Sequence, residues 1–230
     1  MIRSLLPLLL ASAVAHAAPA LIEDTLAQRL AACTTCHGKQ GRAAPDGYHP
    51  RIAGKPAGYL LQQLLNFRDG RRLYGPMVAL VDTLPDAYLR EMAGHFAALE
   101  LPYPAPPPTQ ESAVVLARGR ALALQGDVAK GLPACAACHG AALTGVLPAT
   151  PGLLGLPRDY LSGQLGAWVN GQRHARAPDC MADIAKKLAG DDLVAITAWL
   201  SSQPVPDPAR PATMLPQPAP RRCGSLEAAP

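Results

Sequence analysis

Two short segments constrain this chain more than anything else in it. Cys33-Thr34-Thr35-Cys36-His37 and Cys135-Ala136-Ala137-Cys138-His139 both read C-x-x-C-H, 102 residues apart. The spacing has a chemical meaning. Two thiols three residues apart can add to the two vinyl groups of one haem, and the histidine that follows is carried under the iron as its proximal ligand. Paired C-x-x-C units can also close on one zinc ion, and a single pair can serve a thioredoxin-like redox centre. Here each pair carries its own histidine, and no βαβ pattern surrounds either one. The reading is two covalently bound haem c groups, attached through Cys33, Cys36, Cys135 and Cys138, with His37 and His139 as iron ligands.

The start of the chain agrees with that chemistry. Arg3, the apolar run Leu5 to Val14 and Ala15-His16-Ala17 form the three parts of a cleaved secretory signal. Export to the periplasm follows, with the mature chain starting near Ala18 and no cysteine after the cut for a lipid anchor. No apolar stretch reaches the 18 or so residues of a membrane span. Lys and Arg number 21 against 17 Asp and Glu, which gives no concentrated basic surface for nucleic acid. Apolar residues make up 49% of the chain but aromatic ones only 4%, so something flat and apolar is expected to fill part of the core.

Superposing the two motifs exposes a repeat of about 100 residues. Pro50 to Gly54 matches Pro151 to Gly155, and Tyr59 to Leu64 matches Tyr160 to Leu165. Gly70-Arg71-Arg72 matches Gly171-Gln172-Arg173, and Met77 matches Met181. Both repeats read as helical. Leu89, Met92, Ala93 and Phe96 lie at i, i+3, i+4, i+7, as do Leu193, Ile196, Thr197 and Leu200. Pro85-Asp86 and Gly190-Asp191-Asp192 mark the starts of these helices. Second helices run from Tyr59 to Arg68 and Tyr160 to Val169, closed by Gly70 and Gly171. The expected division is a signal at 1–17, domains at 18–101 and 113–202, a stiff Pro-rich linker at 102–112 and a Pro-rich tail at 203–230.

What lies above each iron decides the chemistry. Met77 and Met181 sit at matched positions, 40 and 42 residues after their histidines, and are the expected sixth ligands. A thioether favours Fe(II) and raises the potential, and a fully ligated iron leaves no place for substrate. Met92 belongs to a helix stripe and reads as core, and Met214 as a tail residue. His49, His95 and His174 have no matched counterpart and read as surface or packing residues. Pro50 and Pro151 offer carbonyls to orient the proximal histidines. Arg72, Arg173, Tyr59 and Tyr160 are candidates for the haem propionates. Cys180 and Cys223 remain, and in an oxidising compartment they are expected to pair. The alternative, Cys180 as an iron thiolate, would suggest a sulfur-oxidising enzyme.

The ordered set resembles the di-haem cytochrome c4 family: C-x-x-C-H-G twice, Pro50/Gly54 and Pro151/Gly155, Tyr-x-x-x-Gln-Leu twice, Gly-x-Arg twice, Met77 and Met181. The resemblance covers about residues 24–202. It implies an all-α chain of two tandem cytochrome c-like domains, each wrapped round one covalent haem with His/Met ligation. It also implies periplasmic transfer of single electrons from respiratory donors to terminal oxidases or related acceptors. Gly54-Lys55 and Gly155-Leu156 stand where the family has Gly-Gln, and Cys180 before Met181 is unusual. No nucleophile set, phosphate loop or paired carboxylate argues for catalysis, so no catalytic residue is expected. Redox protein partners are expected, reached by docking to membrane complexes without insertion, with the chain a monomer. Two alternatives stand beside the carrier: a di-haem enzyme of the thiosulfate dehydrogenase or peroxidase kind, and the cytochrome subunit of a dehydrogenase complex.

Overall fold

The computed structural model describes residues 24–227. The secretory signal at 1–17 lies outside the described residues. Within them the chain forms ten α-helices and one two-stranded sheet, so the architecture is all-α, with the elements arranged in two repeats.

In the first repeat α1 (Leu26–His37) ends on the haem motif. Thr25 caps its start by accepting from the Gln28 amide. Gly38 ends it at a φ of +74°, where a Cβ would stand 2.2 Å from the Ala43 carbonyl oxygen, so only glycine fits. Then come α2 (Ala57–Arg68), α3 (Gly75–Val81) and α4 (Asp86–Ala97). The stripe Leu89, Met92, Ala93 and Phe96 is buried, and it packs with Leu30, Leu60, Leu61 and Phe67 into one core.

The second repeat follows the same plan with one change. Its first helix α5 (Ala113–Leu124) stops short of the motif, which sits on a separate short helix α6 (Ala136–His139). Gly126 and Gly131, both at positive φ, make the intervening turn. The chain goes on through β1 (Gly145–Val146), β2 (Thr150–Pro151), α7 (Arg158–Val169), α8 (Cys180–Ala185) and α9 (Gly190–Ser202). Helix α5 crosses α9 at Gly119, where a Cβ would lie 2.1 Å from the Ala195 carbonyl oxygen. Both α2 and α7 start two residues earlier than their tyrosines suggest, because Pro56 and Pro157 stand at the N-cap and fix the entry.

Several connections hold the repeats together, among them a strand-like bridge, the linker and the tail. The matched Gly-x-Arg segments meet in a short antiparallel bridge, with Leu73 N donating to Gln172 O at 2.9 Å and His174 N to Arg71 O at 2.6 Å. The linker is pinned: Arg51 donates to the Leu101 and Pro102 carbonyls and lies 3.8 Å from the centre of the Tyr103 ring, which also packs close to Gly155. The C-terminal tail pairs with Gly145–Leu147 through Ala212, and Ser225 O accepts from Gln62 Nε2 on α2. The tail ends in a short helix, α10 (Gly224–Glu227).

Candidate functional site

Each motif histidine is buried at the end of its helix and held by one hydrogen bond. His37 Nδ1 donates to Pro50 O and His139 Nδ1 to Pro151 O, both at 2.8 Å. A carbonyl partner fixes the proton on Nδ1, which leaves the Nε2 lone pair for a metal. Burial lowers both imidazole pKa values, at His37 against the raising effect of its Pro50 bond and at His139 against that of Pro151. Both rings are therefore neutral at ordinary pH, which a ligand must be.

Cys33, Cys36, Cys135 and Cys138 form no disulfide. Burial pushes the Cys135 thiol up to about 12, and raises Cys33 and Cys138 as well. Such sites disfavour a thiolate and suit a neutral thioether. A cavity of about 520 Å³, lined mainly by apolar side chains of both repeats, has both motifs and both Met77 and Met181 in its walls. Among the described residues no three His, Cys, Asp or Glu side chains converge to hold a metal ion.

The methionines sit on short helices opening after loops. Met77 follows Pro76 in α3, and the Tyr48 and Tyr74 rings pack 5.7 Å apart beside it. Met181 follows Cys180 in α8, whose N-cap Asp179 accepts from Ala182 N at 3.0 Å and Ala175 N at 2.6 Å. Cys180 is bonded to Cys223, 43 residues on. Next to that bond, Gly224 N donates to Pro178 O at 3.0 Å. Met181 packs with Trp168, Ala182 and Ala185. Met92 is buried in the first core and Met214 is exposed. His49 lies edge-on to His37, 6.1 Å between centroids, and pairs with Asp46. His95 packs on Phe96, and His174 is exposed with Nε2 against Gly171 O.

The four propionate candidates meet where the repeats meet. Gln164 Oε1 accepts from Arg72 at 2.6 Å and from Arg173 at 2.7 Å, and Gln63 Oε1 accepts from the same two at 3.1 and 3.0 Å. Arg72 also donates to Tyr160 OH at 3.3 Å, and Arg173 bonds to Tyr59. Each guanidinium lies over an aromatic ring, Arg72 over Phe67 at 4.4 Å and Arg173 over Trp168 at 3.9 Å. Burial raises the Tyr59 hydroxyl, whereas at Tyr160 burial is outweighed by Arg72 and Arg173, which hold it low. Every acceptor here is neutral, so two guanidinium charges meet with no carboxylate among the described residues between them. That donor set fits an anionic group, as haem propionates are. Trp168 adds a donor that the sequence did not flag: its buried Nε1 has no partner. The matched residue, Phe67, has no such donor, and only superposing the repeats distinguishes the two.

No protein-family model matches the chain. It is 36% identical over 176 residues to the thiosulfate dehydrogenase electron acceptor of Thiomonas intermedia, covering 76% of this chain and 80% of that protein. It is 32% identical over 174 residues to cytochrome c4 of Pseudomonas aeruginosa, covering 75% and 84%. The crystal structure of reduced cytochrome c4 from Pseudomonas stutzeri superposes with a TM-score of 0.67 at 26% identity, over 77% of this chain and 96% of the other.

Proposed function

The chain belongs to the di-haem cytochrome c4 family, carrying two covalently bound haem c groups and passing electrons to and from redox protein partners, and on that premise we propose that it is a non-catalytic carrier whose two irons are both closed by His/Met ligation. When bound, each haem supplies a centre that takes up and returns one electron. Cys33 and Cys36, and Cys135 and Cys138, attach the two groups. His37 and His139, each aimed by a proline carbonyl, and Met77 and Met181 would supply the iron ligands. Arg72, Arg173, Tyr59, Tyr160 and the Trp168 indole hold the propionates. The apolar walls keep water from the metal.

The single observation that carries this reading is the doubling of one arrangement: the same 2.8 Å histidine clamp and a matched methionine around each half of the cavity. An enzyme would need at least one iron with an open or displaceable position. We place the carrier in the periplasm, on the strength of the leader sequence. Among the described residues no helix is long and apolar enough to cross a membrane. The similarity to thiosulfate dehydrogenase electron acceptors favours a donor of that kind, with a respiratory oxidase or reductase as acceptor. Mixing the oxidised holoprotein anaerobically with a thiosulfate dehydrogenase and thiosulfate tests this. Uptake of one electron per haem only when the enzyme is present is the expected result. Thiosulfate oxidation by the holoprotein alone would overturn it.

A further inference from the structure

The two methionine loops differ in the residue that precedes the methionine. Before Met77 stands Pro76, whose side chain has no atom to offer a metal; before Met181 stands Cys180. Cys180 and Met181 open α8, and both lie in the wall of the cavity, as does Cys223. The second site thus carries two sulfur donors side by side where the first carries one. One of the two is masked, because Cys180 is bonded to Cys223. The tail that supplies Cys223 is seated on the methionine loop: Gly224 N donates to Pro178 O at 3.0 Å, and a Cβ on Gly224 would lie 2.1 Å from Ala177 O. Neither partner depends on the bond for its place. The tail is also held by Arg221, which donates to Gly131 O at 3.0 Å, and by Ser225 O, which accepts from Gln62 Nε2 at 2.6 Å. The start of α8 is also held by its Asp179 cap. Opening the bond therefore frees a sulfur beside Met181 without dismantling either element.

We propose that Cys180 is a latent ligand of the second iron, locked away in its bond to Cys223 and released when a dithiol opens that bond. The exchange balances. A thiol of the dithiol attacks the Cys180–Cys223 bond, its second thiol resolves the mixed disulfide, and the dithiol leaves as a cyclic disulfide. Two electrons and two protons pass to the pair, which becomes two thiols. At the ferric iron the Cys180 sulfur then replaces the Met181 thioether and gives its proton to water, with no change in the oxidation state of the metal. A thiolate is anionic and favours Fe(III), whereas a thioether favours Fe(II), so the second potential falls. The first site, with Pro76 in the matched place, keeps its methionine. A reducing thiol pool would in this way turn down one of the two centres and leave the other working, and reoxidation of the pair would restore it.

This rests on Met181 as the ligand of the second iron, and the methionine-to-ferric charge-transfer band of the holoprotein reads both. Cys180→Ala and Cys223→Ala break the same bond, so a purely structural role moves them alike. Cys223→Ala leaves Cys180 free. Its ferric spectrum should keep about half of the wild-type band, with a thiolate-type low-spin EPR signal from one iron per chain, and one of its two reduction waves should fall. Cys180→Ala should keep the whole band. The wild type gives a second route. Its bond is opened with dithiothreitol, the opening is confirmed by intact mass, the reagent is removed without air, and the irons are reoxidised with a one-electron oxidant. The band should again fall to about half, and return once the pair is reoxidised. Equal bands in the two variants would overturn the proposal. So would a bond that dithiothreitol does not open in the folded holoprotein, or a whole band once it is open, which decides the matter even if a variant does not assemble. A wild-type band that Met181→Ala leaves unchanged overturns the Met181 reading and the proposal together. A band that Met181→Ala halves, but that opening the bond leaves whole, overturns the proposal alone.

Discussion

Removing the Cys180–Cys223 bond should loosen the second haem site and leave the first alone. The bond closes a segment of 43 residues that runs from the Met181 loop through α9 and the Pro-rich tail. A cross-link over that length removes unfolded-chain entropy worth about 4 kcal/mol at most. The tail keeps other anchors without it, namely its pairing at Ala212 and the Arg221 donation to Gly131 O at 3.0 Å. We therefore expect Cys180→Ala with Cys223→Ala to lose about 2–3 kcal/mol, on the order of 10 °C in the melting of the second domain. The thermal loss of the methionine-to-ferric charge-transfer band reports this by site. In the wild type the two bands should fade close together. In the double variant half the band should fade early and the rest on the wild-type schedule. An unchanged melt would refute the reasoning, and so would early loss at the first site, because no disulfide touches the Met77 loop.

The other predictions address ligation and packing. Met77→Ala and Met181→Ala should each let the reduced protein bind one carbon monoxide, read from the optical spectrum. Binding at both irons in either single variant would show that the pairing of methionine to haem is wrong. Asp192→Asn should cost about 1.5–3 kcal/mol, because the buried carboxylate accepts from Arg118 at 2.8 Å and from Lys130 at 2.5 Å. Those bonds hold the Asp192 pKa below its usual value, Arg118 foremost and against the burial penalty, so the wild type's advantage is full above about pH 4 and fades as the pH falls further. Chemical denaturation at two pH values compares the variant with the wild type. Gly119→Ala should force α5 off α9 and cost about 3 kcal/mol. A stability within about 0.5 kcal/mol of wild type would mean that the crossing is looser than its geometry.

Much of this was legible in the order of residues, because duplication repeats the signal. A single Met77 or Pro50 says little, but Met181 and Pro151 at the same offset turn each into a pattern. The helix stripes were legible for an ordinary reason: Leu89 to Phe96 keep the period of 3.6 that one buried face demands. Superposition cannot show which matched residues face each other. Arg72 and Arg173 align as equivalents, yet their importance is that they meet across the repeats and share Gln63 and Gln164. The break between α5 and α6 lies ahead of the second motif, where no matched residue of the first repeat marks it. Gly126 and Gly131 were the available signal. The Trp168 donor was invisible because an indole with no partner reads in sequence as one more core aromatic. Lys55 was visible only as a departure, and its reach to Gly152 depends on the packing of two elements 97 residues apart.

The central claim is that both irons are closed. It is tested most directly by titrating the dithionite-reduced holoprotein with carbon monoxide and recording its optical spectrum. The account, which gives the sixth positions to Met77 and Met181, predicts no change. A shift of one haem's worth of absorbance would contradict it and bring the enzyme reading forward, with the Cys180-Met181 loop the first place to look.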